Sequence, residues 1–323
     1  MRNRMRVIAI TFIVLLASAD ALAQSAAVSL KPILKPGQEA RYRLIGEVDT
    51  EITAAGAGGL SGTQSRELVA TVLLRAGVAA PQLAAQSASA TVATAGHGSP
   101  YTRETFASDA SAAGDLVYYE AVVEMLDASL KVNGVENSVI FQNGVGQKIE
   151  FALDSFGHVV KCTMPAEVAK TGLAELLFSM LDWAPAAPIT VGQTWGGDPQ
   201  GNSYGYISAP ALSSAPKSAA TAYKLSALNG GLGVVEGAIT LRQDGATLLE
   251  IPAAQAKVNL AGSGGGTTRI EYDVAANRLT SATTETQLKG RVVNIAPTRA
   301  GEKMQPREGA LVEKAKFSIK LLQ

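Results

Sequence analysis

Cysteine is almost absent: Cys162 is the only thiol among 323 residues, which excludes an internal disulfide framework and leaves the fold to rest on packing. Histidine is nearly as scarce. His97 and His158 lie far apart, and neither has another ligand at the spacing zinc requires. With 17 aromatic residues, the chain has little from which to build stacking platforms for bases or open carbohydrate clefts. Charge of one sign is lacking too, since 28 Lys and Arg balance 28 Asp and Glu. That balance gives no electrostatic basis for binding nucleic acid or an anionic membrane. No Asn-x-Ser/Thr acceptor occurs. Together with the missing disulfides, this points to a bacterial periplasm or exterior rather than a eukaryotic secretory route.

The sequence opens with Arg2, Arg4 and Arg6, an apolar run from Val7 to Ala19, and Ala21-Leu22-Ala23 before Gln24. This is the three-part pattern of a cleavable export signal over 1–23. The 13-residue run is too short to span a bilayer as a helix. No cysteine stands after the cleavage site to carry a lipid, so the expected mature form is soluble, periplasmic or secreted, with no membrane span. Losing three Arg and one Asp with the signal leaves 25 basic and 27 acidic residues, a formal charge of −2.

Most of the chain beyond the signal reads as β. Tyr42, Leu44 and Val48 alternate with Arg41, Arg43 and Glu47, and Leu68, Ala70, Val72 and Leu74 alternate in the same way beyond a Gly/Ala loop at 54–62. Both are period-2 patterns of half-buried strands, and neighbouring antiparallel strands are expected. The Ala/Ser-rich stretch 83–92 reads as a further strand, and 96–114 as a long loop. Leu116, Tyr119, Val123, Leu126 and Leu130 recur at helical spacing. Leu116, Tyr118, Val122 and Leu126 also fit a strand, but a helix is expected over 116–127. Asn133-Gly134 signals a hairpin, as does Asp154-Ser155-Phe156-Gly157 after Ile149, Phe151 and Leu153. From Pro165, Val168, Leu173, Leu176, Leu177, Met180 and Leu181 recur at three- and four-residue steps. Pro185 and Pro188 come next, so a helix is expected over 165–182 with Gly172 as a kink or close contact.

The second half echoes the first. Pro36-Gly37-Gln38 returns as Val191-Gly192-Gln193, and Phe151-Ala152-Leu153-Asp154 as Ile270-Glu271-Tyr272-Asp273. Tyr223–Leu228, the Asn229-Gly230-Gly231 turn and Val234–Leu241 form another expected hairpin. The last strand sets Ala315, Phe317, Ile319 and Leu321 on one face and Lys314, Lys316, Ser318 and Lys320 on the other, where the lysines read as protection of an edge strand. The expected fold class is therefore mainly β: two related antiparallel meander or half-barrel units, 24–164 and 189–323, joined by a helix and linker at 165–188 that lies between or beneath them.

Chemistry-bearing motifs are sparse. His97 sits between small residues of a loop and His158 at a hairpin tip, both ordinary places for a polar side chain. Gly262-Ser263-Gly264-Gly265-Gly266 leads into a strand, not the helix a phosphate loop needs, and reads as a turn or a strand start packed closely against another backbone. Ser214-Ala215-Pro216-Lys217 has acyl-enzyme spacing, but Pro216 disfavours the helical turn that would join Ser to Lys. Cys162, alternating with Val160 and Met164, reads as a buried small hydrophobe, and Glu120, Glu124 and Asp127 as a solvated face. No catalytic residue, metal ligand or cofactor is assigned. Trp183 and Trp195 bracket the proline-rich linker; they anchor the helix against the sheet or, as the candidate ligand-binding residues, line an apolar site.

The export signal, Pro36-Gly37-Gln38 leading to Tyr42, Val191-Gly192-Gln193-Thr194-Trp195 after a helix, and Phe151-x-Leu153-Asp154-x-x-Gly157-x-Val159 together resemble a family of secreted bacterial β-rich proteins that form a domain of unknown function. The resemblance implies no catalytic residues. Ala276-Asn277 stands where the first half has Gly157, a departure at that turn. At the level of fold, the expected architecture is also similar to periplasmic lipoprotein carriers. Curved sheets covered by a helix enclose apolar space. The leading expectation is a non-enzymatic envelope protein binding a lipid or other apolar small molecule. Alternatives are a structural or protein-interaction module of the envelope, and a hydrolase with an unrecognised site. The export expectation is checked by expressing the full chain in a bacterium and sequencing the periplasmic product: the N-terminus should be Gln24, and a cytoplasmic protein still carrying Met1–Ala23 would overturn it.

Overall fold

The computed structural model describes residues 27–31, 34–54, 61–77, 116–137, 144–153, 159–169, 171–181, 183–185, 187–196, 218–251, 256–296 and 305–322. Twelve strands among them join one antiparallel sheet. In chain order these are β1 Glu39–Ala54, β2 Gly62–Ala76, β3 Val117–Val132, β4 Val135–Asn137, β5 Lys148–Leu153, β6 Val159–Thr163, β7 Thr194–Gly196, β8 Ser218–Asn229, β9 Leu232–Ile251, β10 Ala256–Asp273, β11 Arg278–Ala296 and β12 Gln305–Leu322. The order across the sheet is β6-β5-β3-β2-β1-β12-β11-β10-β9-β8-β7, with β4 attached to β3. The protein is thus mainly β, and each half is a meander. The halves meet where β1 pairs with β12, from Arg41 opposite Leu322 to Ala54 opposite Gly309.

Between β6 and β7 the chain forms the helical segment, α1 Ala166–Ala169 and α2 Leu173–Ser179. The apolar spacing is helical throughout, but Gly172 takes φ +80° and divides the segment in two, a conformation glycine adopts without the clash a Cβ would bring. Thr171 bridges the break, its hydroxyl donating to the Val168 carbonyl and accepting from the Leu173 N–H.

The segment packs into the sheet and touches both meanders. Phe178 meets Phe151 of β5 edge-on at 5.2 Å, and Phe151 stacks on Tyr119 of β3 at 5.2 Å. Trp183 meets Tyr272 of β10 edge-on at 5.8 Å. Around these lie the buried inward residues of the same end of the sheet, including Tyr42, Leu44, Tyr223, Leu225, Ile270 and Ile319. Leu30 and Leu34 belong to this core as well. Their segment is held by the Tyr119 hydroxyl donating to the Leu34 carbonyl, by the Tyr272 hydroxyl donating to that of Lys31, and by a bridge between Val28 and Ile189.

The expectations for β3 and β12 are corrected. Residues 116–127 are strand, not helix. In β3, Val72 faces Val123 and Thr71 faces Met125, so Glu124 is an extra residue at a bulge. The bulge turns the inward step from Val123 to Leu126 into three residues, which mimics helical spacing in a strand. The lysines of β12 do not protect an edge, because β12 lies between β1 and β11. They cover the outer face, where Lys316 pairs with Glu285 at 3.1 Å.

The hairpins at Asn133-Gly134 and Asn229-Gly230-Gly231 form as expected, with positive φ at Asn133, Gly134, Gly230 and Gly231. The Gly37-Gln38 and Gly192-Gln193 turns share one set of bonds: each Gln side-chain oxygen accepts from a backbone N–H three residues earlier, and each Gln N–H donates to that residue's carbonyl. The expected strand at 83–92 and loop at 96–114 lie outside the described residues.

The glycine run is neither turn nor strand start; it is the middle of β10. Gly262, Gly264 and Gly266 point inward, and a Cβ on any of them would run into the β11 backbone. The close approach of another backbone is therefore as the sequence implied. Gly264→Ala would overlap the Gln287 carbonyl oxygen and is expected to cost about 3 kcal/mol in denaturant unfolding. Gly37→Ala, with open space around it but φ +83°, is expected to cost about 1 kcal/mol; equal costs would refute the close approach.

Candidate functional site

The inward face can be read as rows running across the strands, because antiparallel register places the same face side by side. Beyond the row of Leu225, Val235, Ile270, Ala282, Ile319 and Leu44 in the helix-side core comes Tyr223, Gly237, Thr268, Thr284, Phe317, Gly46, Leu68. The next row is Thr221, Ile239, Gly266, Thr286, Ala315, Val48, Arg66, and beyond it Ala219, Leu241, Gly264, Leu288, Glu313, Thr50, Gln64. Then come Gln243, Gly262, Gly290, Leu311, Ile52. Leu260 and Val292 close the series.

These outer rows form a second apolar cluster. Ile239, Leu241, Leu260, Leu288, Val292 and Leu311 are buried together, with Ile52 and Ala219 against them. All its members come from strands. The glycines of β10 explain how it forms: in the Leu241, Gly264, Leu288 row the middle position has no side chain, so leucines of β9 and β11 close over it. Both clusters are aliphatic in part, but the aromatic residues lie with the helical segment and not here.

Polar side chains interrupt this second lining. Thr268 and Thr284 satisfy one another, their hydroxyls 2.8 Å apart. Burial pulls the Arg66 guanidinium below its ordinary range, and the charge of Glu313, itself 2% exposed, opposes that shift from across β1. Thr221 Oγ1 and both amide atoms of Gln243 are enclosed without a hydrogen-bond partner.

The sequence-level candidates lie at the other end. Trp183 is fully buried, and its indole N–H donates to the Met180 carbonyl at 2.8 Å. Trp195, half-buried, donates to the Trp183 carbonyl at 2.8 Å and stacks on Tyr223 at 5.5 Å. The structure brings the two together as packing around the linker. Cys162 packs against the same core, where burial, with Glu175 nearby, pushes its thiol up to about 12. That is the opposite of what an attacking thiolate requires. His97, His158, Ser214 and Lys217 lie outside the described residues. Glu120 holds Lys148 at 2.7 Å, and Glu124 makes a bidentate pair with Arg41 at 2.7 and 2.9 Å, both on the outer face. Among the described residues no three His, Cys, Asp or Glu side chains gather as a metal site, and no helix is long and apolar enough to cross a membrane.

Sequence reasoning missed Gln243 and Glu313, although a signal existed. Val235, Ile239 and Leu241 alternate on β9 and place Gln243 in the apolar phase. Glu313 falls in the phase of Ala315, Phe317 and Ile319.

No protein-family model matches the chain, and no curated protein matches it. Among solved structures, it is similar to lipovitellin in a structure of lipid–protein interactions in that protein, at 10% identity and a TM-score of 0.45. The match covers 90% of this chain and 26% of lipovitellin, so the chain spans about a quarter of that protein's length. At that identity and score, the likeness bears on neither ligand nor activity.

Glu175 of α2 keeps part of its surface exposed, while its Oε2 is enclosed without a partner and burial raises its carboxyl above the ordinary 4.5. A raised folded value makes the residue's contribution to stability complete below the unfolded value and lost as pH climbs through the folded one. Glu175→Gln is therefore expected to match wild type below about pH 4.5 and to exceed it increasingly above, in urea midpoints measured across pH; a pH-independent difference would refute the burial of the charge.

Proposed function

We propose that this chain is an exported, non-enzymatic protein of the bacterial envelope that holds a lipid or other apolar ligand against the strand-built half of its inward face. The observation that carries the reading is the second apolar cluster, an aliphatic lining assembled from β1, β8, β9, β10, β11 and β12, with no member from the helical segment. The opposite half supports the choice of location, because there Trp183, Phe178, Phe151 and Tyr119 occupy the interior. Aliphatic walls offer burial without orientation, and a few inward polar groups supply specificity, the usual division of labour in a small-molecule site. The export pattern at 1–23 supports the envelope location.

Native mass spectrometry of protein recovered from the envelope is expected to show an excess mass that organic extraction removes. The extracted protein should then take up a fluorescent fatty-acyl probe. Leu288→Glu, which puts a charge among the aliphatic walls, is expected to weaken the probe by about tenfold or more, whereas Trp195→Phe on the helical side should leave it unchanged. Absence of both an excess mass and probe uptake in the wild-type protein would refute the proposal.

A further inference from the structure

We infer that Gln243 reads the polar end of that ligand, and that the ligand is an amphiphile whose head sets a hydrogen-bond donor beside an acceptor: a carboxamide or an undissociated carboxylic acid. The inference rests on the apolar-ligand reading above and specifies the chemistry of its head. Gln243 is 4% exposed, yet neither Nε2 nor Oε1 has a partner. A buried amide left unpaired on both atoms has given up its bonds to water with nothing in exchange, and native interiors rarely retain one without a reason.

Its place in the sheet is specific. Across the row from Gln243 come Gly262 of β10 and Gly290 of β11, so no side chain stands between the amide and Leu311 of β12. Leu241, Leu311 and Ile52 flank this stretch with aliphatic surface. Such walls match an alkyl tail in polarity, and the amide remains for the head.

The donor and acceptor inventory narrows the head further. A glutamine side chain offers an N–H donor and a carbonyl acceptor on one edge. A carboxamide or carboxylic acid satisfies both in a two-point pair. An ester satisfies only Nε2, a carboxylate sets an acceptor against Oε1, and an ammonium group satisfies only Oε1. Arg66 does not favour an anionic head either, since Glu313 already faces that charge.

The test is competition against the fluorescent fatty-acyl probe, using the mature wild-type chain, with a long-chain fatty amide, the methyl ester of the same length and the corresponding alkane. The amide is expected to bind about tenfold more tightly than the ester. The free fatty acid should compete better as pH falls and its carboxyl becomes protonated. In Gln243→Met, a change of similar volume, the amide-to-ester ratio should fall to about one, both affinities dropping toward that of the alkane.

Equal affinity for amide and ester in the wild-type protein, or a ratio that survives Gln243→Met, overturns the assignment of Gln243 while leaving the apolar-ligand reading in place. Failure of every ligand and of the probe to bind overturns both. If the Met variant does not fold, the wild-type ratio and the pH dependence of the fatty acid decide the matter.

Discussion

The pairing of β1 with β12 is the constraint on which the rest of the architecture depends. Each meander pairs its strands in chain order, yet the strands that join the two come from opposite ends of the described chain. Once that ladder forms, β6 and β7 become the two edges of one sheet, and the helical segment that connects them must cross its inward side. The segment and the linker after it then pack against strands of both halves, through Phe178 on one and Trp183 on the other. A continuous inward face also brings Arg66 of β2 and Glu313 of β12 to the two sides of β1, which neither half alone would do.

The two ends of that face are filled by different means. Where the helical segment lies, bulky aromatics and tyrosines occupy the space, and carbonyls of the 30–34 segment, the linker and Leu279 of β11 accept from Tyr119, Tyr272, Trp183, Trp195 and Tyr42. Burial holds Tyr42, Tyr119 and Tyr272 well above the ordinary phenol range, so these groups remain neutral donors at any physiological pH. Away from the segment, the glycines of β10 take over. They let β10 lie close against β11 and let β9 and β11 side chains meet over a row without side chains. Polar groups there are satisfied only in part, and this asymmetry is why the proposed ligand is assigned to the strand-built end.

Much of the fold was legible because period-2 alternation and turn chemistry are local. The strands around Tyr42, Val72, Tyr223 and Ala315, both Asn-Gly hairpins and the apolar spacing from Val168 to Leu181 could be read directly. The exceptions have definite causes. Glu124, as a bulge residue, gave a strand the spacing of a helix, and a mid-strand run of glycines resembled a turn because its reason, the nearness of β11, lies elsewhere in the chain. Of the candidate site little was legible. The tryptophans stand out by type, but they belong to the packed end, while Gln243 and Glu313 look ordinary until their phase along a long strand is known.

By itself the sequence determined the export pattern, the β-rich class, the hairpins and the helical segment, since each depends on residues close together along the chain. Only the tertiary structure decided that the two meanders share one sheet, that the lysine-bearing last strand is central, and that an unpartnered glutamine faces a glycine floor between aliphatic walls. These are matters of register between distant strands, and register depends on which segments meet, a choice made by the packing of the whole inward face.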